Sequence, residues 1–360
     1  MNITSKINPL STAKRLLIVT VRGVGLGVGI AMASTPVMAQ EVTLKLHHIW
    51  PTTAMYPKNM LNQWCDKIAA DSANRMKCQM LPAMSGGGTP PQLVDRVKDG
   101  VDDMVVTLPG YTPGRFPIME AFELPFMTST AEAASKASWD YFQKNAVKEF
   151  PGTKVLAIWV HDEGYIHNNK QPIKTLADFK GMKLRAPTRQ VTKLLSALGA
   201  SPVGMPIPTV ADAISKGTID GAVIPWEAVT GFRITETVKY HTETPQSRPA
   251  MYSAVFVWGM NQAKYDSLPA DLKAVIDKNS GMALSAASGK LFDESQAPSR
   301  KIAADRKNEI YVLPVAETDN WIKASESVYA DWVVDMDKRG QNGKALLQDA
   351  RDLLVKYNKK

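Results

Sequence analysis

The sequence predicts an α/β protein with two lobes, mainly parallel sheets, hinge strands between the lobes and a helical C-terminal part. Two stretches, residues 42–109 and 165–226, alternate strand-like and helix-like segments, and such alternation requires parallel strands covered by helices. A chain of 360 residues also exceeds one typical domain, which favours two lobes. After residue 261 the sequence is mostly helical and charged to its end.

The first series reads strand, helix, strand, helix, strand. Alternating apolar residues in VTLKLHHIW predict its first strand, and Pro57 marks the start of the helix that follows. The remaining segments are the strand MKCQML, a helix through PPQLVDRVKDG and the strand DDMVVTLP. We therefore expect one lobe to contain residues 41–163.

A second series begins near Tyr165. Its segments are the short helix LADFKG, the strand MKLRA, the helix RQVTKLLSALG, the strand SPVGMP, the helix VADAISKG and the strand DGAVIPW. The apolar run MYSAVFVWGMN then predicts a strand that returns to the first lobe. We expect lobe I to comprise residues 41–163 and about 251–295, and lobe II residues 164–250 and about 296–360. Hinges are expected near 163–165 and 249–251.

Residues 1–39 predict a secretory signal peptide. Basic residues precede the apolar run GVGLGVGIAMAS, and the small-residue exit VMA places the cleavage after Ala39. No strand–helix unit follows GVGLGVG, so we do not interpret it as a nucleotide loop. No later segment reaches the ~18–20 uninterrupted apolar residues of a membrane helix. Export to a bacterial periplasm is therefore expected.

The charge pattern argues against nucleic-acid binding. The chain has a formal net charge of +8, and removal of the signal peptide would take away four basic residues and no acidic one. The remaining charges are interspersed, and no basic cluster contains interleaved aromatic residues. A solvated surface explains these charges.

The two cysteines are candidates for a disulfide. Helical spacing of apolar residues puts Cys65 on a buried helix face, and alternation in MKCQML puts Cys78 on the buried face of a strand. The thiols lie on consecutive elements in an oxidising compartment, which favours a bond. Two free buried thiols are the alternative, and either arrangement is structural.

Three strands of the second series end in side chains of different chemistry, which are expected at the same edge of the sheet. In open α/β sheets, ligands bind outside the carboxyl ends of the strands. Arg185, Met205 and Trp226 lie at or just past such ends. A guanidinium can hold a carboxylate while the other two side chains pack on an apolar body. The alternative is an Arg185 paired with an internal Asp or Glu.

Residues 183–223, KLRAPTRQVTKLLSALGASPVGMPIPTVADAISKGTIDGAV, resemble the signature region of the TRAP-type (tripartite ATP-independent periplasmic) solute-binding proteins of the DctP-like family. HHIWPTT, GTPPQLVDRVKDGVDDM, FPIMEAFELPF and LPADLKAVI occur in the family's order. The resemblance implies a clamshell that delivers its closed complex to membrane permease subunits. It also implies that Arg185 holds the substrate carboxylate.

The sequence departs from the family pattern in two places. Many members have a second ligand-facing arginine in a G-F-R stretch, where this chain reads GYIHNNK. Many continue after the D-G pair with Q-E-N-P, where this chain reads AVIPWE. The missing guanidinium and an apolar wall with Trp226 predict a monocarboxylate with an apolar or aromatic body.

Further ligand-binding candidates each have a structural alternative. His48 and Trp50 end the first strand and could face the ligand or form structural hydrogen bonds. His161 and His167 lie on either side of the crossing near residue 163, and each could have a hinge or supporting role or contact the ligand. Tyr111 is a wall candidate that could equally be core. Glu227 could bind a substrate hydroxyl or a cation, and we expect it to cap the following helix.

Other polar and aromatic groups have less specific signals. Adjacent histidines His47 and His48 point oppositely on a strand, which argues against a shared metal. Arg189 is expected at the surface or as a helper of Arg185, and Phe126 as wall or core. The glycines of SGGG, residues 85–88, could offer amides to an anion, but a tight turn explains them.

The function expected from the sequence is capture of an organic acid for a TRAP-type transporter. No G-x-S-x-G, H-E-x-x-H, P-loop or redox C-x-x-C motif occurs, so an enzyme is not expected. We expect no metal or cofactor, and a small carboxylate and permease subunits as partners. A sensor that presents its ligand to a membrane receptor is the alternative, since it would use the same closing motion.

Overall fold

The computed structural model describes residues 41–358. The predicted signal peptide and its cleavage site lie outside these residues. The strands are β1 Val42–His48, β2 Met76–Leu81, β3 Met104–Thr107, β4 Thr153–Val160, β5 Gly164–Asn168, β6 Lys183–Ala186, β7 Ser201–Gly204, β8 Gly221–Pro225, β9 Tyr240–Glu243, β10 Val255–Asn261 and β11 Glu309–Val312.

Twelve α-helices connect and cover these strands in the described part of the chain. They are α1 Asn62–Asp71, α2 Leu93–Lys98, α3 Ala131–Tyr141, α4 Arg189–Ala197, α5 Val210–Ser215, α6 Trp226–Gly231, α7 Gln262–Asp266, α8 Ala270–Lys278, α9 Met282–Asp305, α10 Val315–Ala324, α11 Glu326–Lys338 and α12 Gly343–Asn358. None of these helices combines the length and apolarity needed to cross a bilayer.

The strands form two sheets, as the predicted two-lobed α/β fold requires. The first has the order β2-β1-β3-β10-β4 and the second the order β11-β9-β5-β8-β6-β7. The predicted β-α-β series give parallel pairs, β1 with β2 and β3, and β6 with β7 and β8. The strands next to the crossings are antiparallel: β10 pairs with β3 and β4, and β5 with β8 and β9.

The chain crosses between the sheets three times: the first two crossings are adjacent segments, and the third runs through α7, α8 and α9 from β10 to β11. Residues 161–163 lead from β4 to β5, and residues 244–254 lead from β9 back to β10. The Gly164 N–H donates to the Tyr252 carbonyl at 3.1 Å, so the crossings are joined. A Cβ on Gly164 would lie 1.9 Å from Cε1 of Tyr252, which explains why a glycine begins β5.

Helices near the C-terminus pack against elements of both sheets. Helix α9 packs against α3 and β4 beside the first sheet and against α6 beside the second. Helix α11 contacts α4, and α12 packs on α3. These helices therefore contact elements that lie before and after the crossings. The lobe boundaries given from the sequence stay a prediction.

The predicted cysteine pair is joined in the structure. Cys65 on α1 and Cys78 on β2 form a disulfide with their Cα atoms 5.7 Å apart. Both residues are half-buried rather than fully buried, because Cys78 lies on the edge strand β2 and Cys65 on the helix that packs against that strand.

Candidate functional site

A cavity lies where strand ends from both sheets meet the crossing segments. It contains about 370 Å³ of space that no protein atom fills, part of which is open to solvent. From the first sheet it receives side chains that follow β1 and β3, and from the second it receives side chains at the ends of β6 and β8. The position follows the rule that ligands bind outside the carboxyl ends of parallel strands.

Arg185 lies in this cavity near the end of β6, as the sequence predicts. The residue is 2 % exposed. Its Nε donates to the Met205 carbonyl at 2.8 Å, and its Nη1 donates to the Val223 carbonyl at 3.3 Å. Within residues 41–358, no Asp or Glu oxygen lies within 4.0 Å of the guanidinium. The internal ion pair considered from the sequence is therefore absent from this part of the chain.

The guanidinium keeps hydrogen-bonding capacity that the described residues do not use. Arginine has five N–H donors, and the contacts above involve Nε and Nη1. A buried cation without a counterion is costly, because the protein interior does not replace its hydration. The arrangement suits an anion that enters the cavity and accepts from the remaining donors.

Aromatic rings form much of the remaining wall. Trp50 stacks on Phe256 with ring centroids 5.5 Å apart, and Phe292 from α9 lies 5.7 Å from Phe256. Trp50 also stacks on the core residue Tyr56, with ring centroids 4.9 Å apart. Large rings held on several sides lose little freedom when a ligand packs on them. The wall is therefore a rigid apolar surface suited to a flat or hydrophobic body.

Tyr111, His161 and Tyr252 surround the arginine side of the cavity. Tyr111 Oη accepts from the Ile207 N–H at 3.2 Å. His161 Nε2 accepts from the Ala254 N–H, so Nδ1 carries the proton and donates to the Asp162 carbonyl at 2.6 Å. Burial lowers the pKa of His161 to about 4, so the ring is neutral at neutral pH. Arg185 is then the cationic side chain of the lining.

Glu227 contributes a carboxyl group to the same lining. It lies in the first turn of α6 and is 2 % exposed. Burial raises the pKa of this carboxyl to about 7, and contacts with the Trp50 side chain and the Tyr56 backbone offset part of that rise. No hydrogen bond joins the carboxyl to the described start of α6. The side chain therefore has the expected place in the first turn, but it makes no capping hydrogen bond there and lines the cavity instead.

The structure brings together Arg185, Trp50, Tyr111 and Glu227 among the candidates, but it does not bring Trp226 to the cavity. The Trp226 side chain is fully buried, and its Nε1 donates to Glu243 at 2.9 Å. Its ring packs on His167 and His241, with centroids 4.8 Å away in both cases. The wall predicted from Trp226 is therefore provided by other rings.

His167 supports the cavity from behind. Its Nε2 donates to the Ile224 carbonyl at 3.0 Å, and its Nδ1 lies 2.6 Å from Nδ1 of His241. Because Asn308 donates to His241 Nε2 at 2.9 Å, His241 donates through Nδ1 to His167. The expectation of a supporting role matches this place, since Ile224 lines the cavity.

Met205 and His48 lie outside the lining. The Met205 backbone orients Arg185, and its half-buried side chain lines a neighbouring groove with Gly110 and Pro187. His48 is 1 % exposed, and its ring centroid is 6.2 Å from that of Trp50. Burial and the neighbouring His47 lower the pKa of His48 to about 4. It is a neutral core residue.

Several lining residues were not predicted from the sequence. They are Ile49, Leu108, Pro187, Ile207, Ile224, Pro225, Ala228, Phe232, Tyr252, Ala254, Phe256 and Phe292. Phe256 lies on an antiparallel strand and Phe292 on a distant helix, so the rule for parallel strands does not reach them. The apolar run of β10 was the available signal for Phe256. It indicated that the strand is buried, but not which of its rings faces a cavity.

The remaining candidates have structural roles. Arg189 pairs with Glu120 and with Asp335, and the Nη2–Oδ2 distance to Asp335 is 2.8 Å. His47 Nδ1 lies 2.9 Å from Asp102 Oδ2. Phe126 packs in the core, and the SGGG glycines lie outside the cavity lining. In the part of the chain described, no group of three or more His, Cys, Asp or Glu side chains is arranged to hold a metal.

The two sides of the cleft approach each other closely at Gly110. This residue follows β3, and a Cβ added to it would lie 2.6 Å from Thr188 Cγ2, which follows β6. Real Cβ atoms do not come so close to another carbon, so a side chain here would force the two sides apart. Glycine at this position permits the observed contact.

Comparison with known proteins agrees with this geometry. Residues 46–335 match the family described as bacterial extracellular solute-binding protein, family 7. A curated relative, the outer membrane transporter protein TsaT of Comamonas testosteroni, is 26 % identical over 312 residues, covering 86 % of this chain and 90 % of its own.

Two solved structures are more similar. A TRAP solute-binding protein from Rhodoferax ferrireducens T118, in complex with copurified benzoate, is 46 % identical with a TM-score of 0.87, covering 88 % of this chain and 99 % of its own. A marine metagenome TRAP solute-binding protein specific for aromatic acid ligands, in complex with 3-hydroxybenzoate, is 45 % identical with a TM-score of 0.87, covering 89 % and 100 %.

Proposed function

Because the chain belongs to the bacterial extracellular solute-binding proteins of family 7, we propose that it captures an aromatic monocarboxylate for a TRAP-type secondary transporter. The observation that carries this proposal is a buried arginine with no described acidic partner in a cavity walled by aromatic rings. The ligands of the two similar structures, benzoate and 3-hydroxybenzoate, support the same class.

The proposed pose follows from the chemistry of the lining. The carboxylate accepts from the free donors of Arg185, and the ring packs beside Trp50 and Phe256. Tyr252 and Tyr111 lie close enough to Arg185 that its charge lowers their pKa values, against the larger rise from burial. Removal of water strengthens the ion pair, because the effective dielectric constant falls. A second carboxylate would meet no second guanidinium in this lining.

Binding and release require the cleft to open. We assign lobe I to residues 41–163 and about 251–295, and lobe II to residues 164–250 and about 296–360. The joined crossings near Gly164 and Tyr252 are the proposed hinge, which is the usual device of periplasmic binders. The contact of Gly110 with Thr188 then belongs to the closed form.

The proposed location and partners follow from the family and the first 39 residues. The basic and apolar residues preceding Ala39 support export and cleavage after that residue. Family members are periplasmic solute-binding proteins, which supports a periplasmic site of action. The closed complex would then dock on the membrane subunits of the transporter.

A thermal-shift screen of residues 40–360 tests the ligand class. A ligand that binds only the folded state raises the midpoint of unfolding. We expect benzoate and its derivatives to raise it, and C4-dicarboxylates and sugar acids to leave it unchanged. Stabilisation by dicarboxylates or sugar acids alone would contradict the proposed ligand class.

A further inference from the structure

Glu227 places a carboxyl oxygen without a hydrogen-bond partner in the cavity wall. Its Oε1 is buried, and it has no hydrogen-bond partner within residues 41–358. A buried polar atom without a partner costs free energy, so such an atom in a folded protein requires an explanation. A ligand group that reaches the carboxyl would supply the missing hydrogen bond.

The other polar groups of the lining are largely occupied. Both ring nitrogens of His161 are hydrogen-bonded, and Tyr111 Oη accepts from Ile207. Arg185 uses two of its nitrogens on backbone carbonyls and is assigned to the ligand carboxylate. Glu227 is therefore the acidic group left over in a lining that is otherwise mostly apolar.

Glu227 and Arg185 belong to different neighbourhoods of the cavity. Arg185 extends from near the end of β6 and is held by the Met205 and Val223 carbonyls. Glu227 extends from the first turn of α6, which follows β8. The carboxyl also lies near Gly231, since a Cβ on Gly231 would be 3.4 Å from its Oε1. A ligand held by Arg185 would thus meet Glu227 with another part of its body.

We infer that Glu227 hydrogen-bonds a hydroxyl group on the ligand's ring, so that the preferred ligands are hydroxylated aromatic monocarboxylates. This inference rests on the proposed function, because it needs a carboxylate held at Arg185. A hydroxyl group donates to a carboxylate oxygen and can also accept from a protonated carboxyl, so it fits either state of Glu227. An ammonium group would form a buried ion pair with a large desolvation cost, and a second carboxylate would be repelled.

Titration calorimetry with benzoate, 3-hydroxybenzoate and 4-hydroxybenzoate tests the inference. In the unmodified mature chain, we expect at least one hydroxybenzoate to bind about tenfold more tightly than benzoate, as for one buried hydrogen bond to a charged or polar group. Glu227→Leu should remove this advantage, and Glu227→Gln should reduce it several-fold. Glu149→Gln is the control, because Glu149 is a mostly buried carboxyl outside the cavity that accepts from the Ile118 and Met119 N–H groups.

The ratio of the dissociation constants separates this inference from the proposed function. The role of Glu227 would be overturned if the unmodified chain bound neither hydroxybenzoate more tightly than benzoate. It would also be overturned if the tighter binding of a hydroxybenzoate were unchanged in Glu227→Gln and Glu227→Leu. Should Glu227→Leu fail to fold, the isosteric Glu227→Gln decides alone by the same ratio. Failure of the unmodified chain to bind benzoate and both hydroxybenzoates would instead contradict the proposed function.

Discussion

Arg185 donates from Nε to the backbone carbonyl of Met205 at 2.8 Å, so the strand end that follows it holds the guanidinium in place. The Val223 carbonyl accepts from Nη1 on the other side. Because both partners are neutral backbone groups, the positive charge is oriented but not neutralised. This is the preorganisation that a carboxylate site needs, since little arginine freedom is lost on binding.

Replacing Arg185 should remove binding of aromatic carboxylates. We expect Arg185→Ala to weaken benzoate binding at least about 100-fold, because buried hydrogen bonds to a charged group are lost. Arg185→Lys should also bind much more weakly, because a lysine cannot reproduce the planar fork. Titration calorimetry measures both changes.

Lys183→Ala is the matched control for these variants. Lys183 lies on the same strand and is exposed, so its loss tests the effect of net charge alone. Thermal unfolding without ligand checks that each variant is folded, since Arg185→Ala leaves the Met205 and Val223 carbonyls without their partner. Benzoate affinity that survives in a folded Arg185→Ala protein would show that the arginine does not hold the ligand.

A methyl group at Gly110 should hinder closure of the cleft. Gly110→Ala places a carbon 2.6 Å from Thr188 Cγ2, and overpacking of this kind costs about 1–3 kcal/mol. We expect benzoate affinity to fall about tenfold or more, while the unliganded protein opens and avoids the clash. Small-angle scattering with and without benzoate would report the loss of compaction.

Two further variants identify the cause of that effect. Gly204→Ala is the control, because Gly204 lines the same groove and an added Cβ meets no described atom within 4 Å. Thr188→Ser removes the clashing methyl group and should restore part of the affinity in the Gly110→Ala background. Equal losses for Gly110→Ala and Gly204→Ala would argue against the close contact as the cause.

Benzoate affinity should fall as the pH rises from 6 to 8. Burial raises the pKa of Glu227 to about 7, so this carboxyl loses its proton in that range. The ionised form then repels a benzoate anion in the same cavity, which favours binding to the protonated form. Calorimetry at several pH values should show the decrease, and Glu227→Gln should flatten it. A flat profile for the unmodified protein would place the titration of Glu227 outside this range or its charge too far from the ligand.

The Cys65–Cys78 bond should stabilise the first sheet. It joins α1 to β2 across a sequence separation of 13 residues. We expect the double substitution of both cysteines by serine to lower the free energy of unfolding by about 3 kcal/mol, the value typical of a loop of this size. Urea unfolding measures this difference, and reduced unmodified protein should behave like the variant. Equal free energies of unfolding for oxidised and reduced protein would mean that the disulfide does not restrict the conformations of the unfolded chain.

The sequence was sufficient to predict the strand series and the place of Arg185. Short apolar runs bounded by Gly, Pro and polar segments mark β6 and β8, and the arginine near the end of β6 falls on the rim by the geometry of parallel strands. The antiparallel pairs of β10 and β5 depend on where the chain crosses between sheets, which no local pattern encodes.

The cavity wall could not be predicted from the sequence to the same degree. Trp226 and Glu227 are neighbours at the start of α6, and successive side chains of a helix point in directions about 100° apart. Only packing against Trp50, Tyr56 and Glu243 fixes which of the two meets the cavity. The helix start was correctly located, but its rotation was not.

A crystal structure of residues 40–360 grown with benzoate tests the central claim most directly. We expect the carboxylate within hydrogen-bonding distance of Arg185, about 2.7–2.9 Å for a charge-assisted contact, and the ring between the Trp50 and Phe256 side of the cavity and Ile224. A benzoate bound elsewhere, or an Arg185 paired with an Asp or Glu of the chain in the presence of benzoate, would contradict the account.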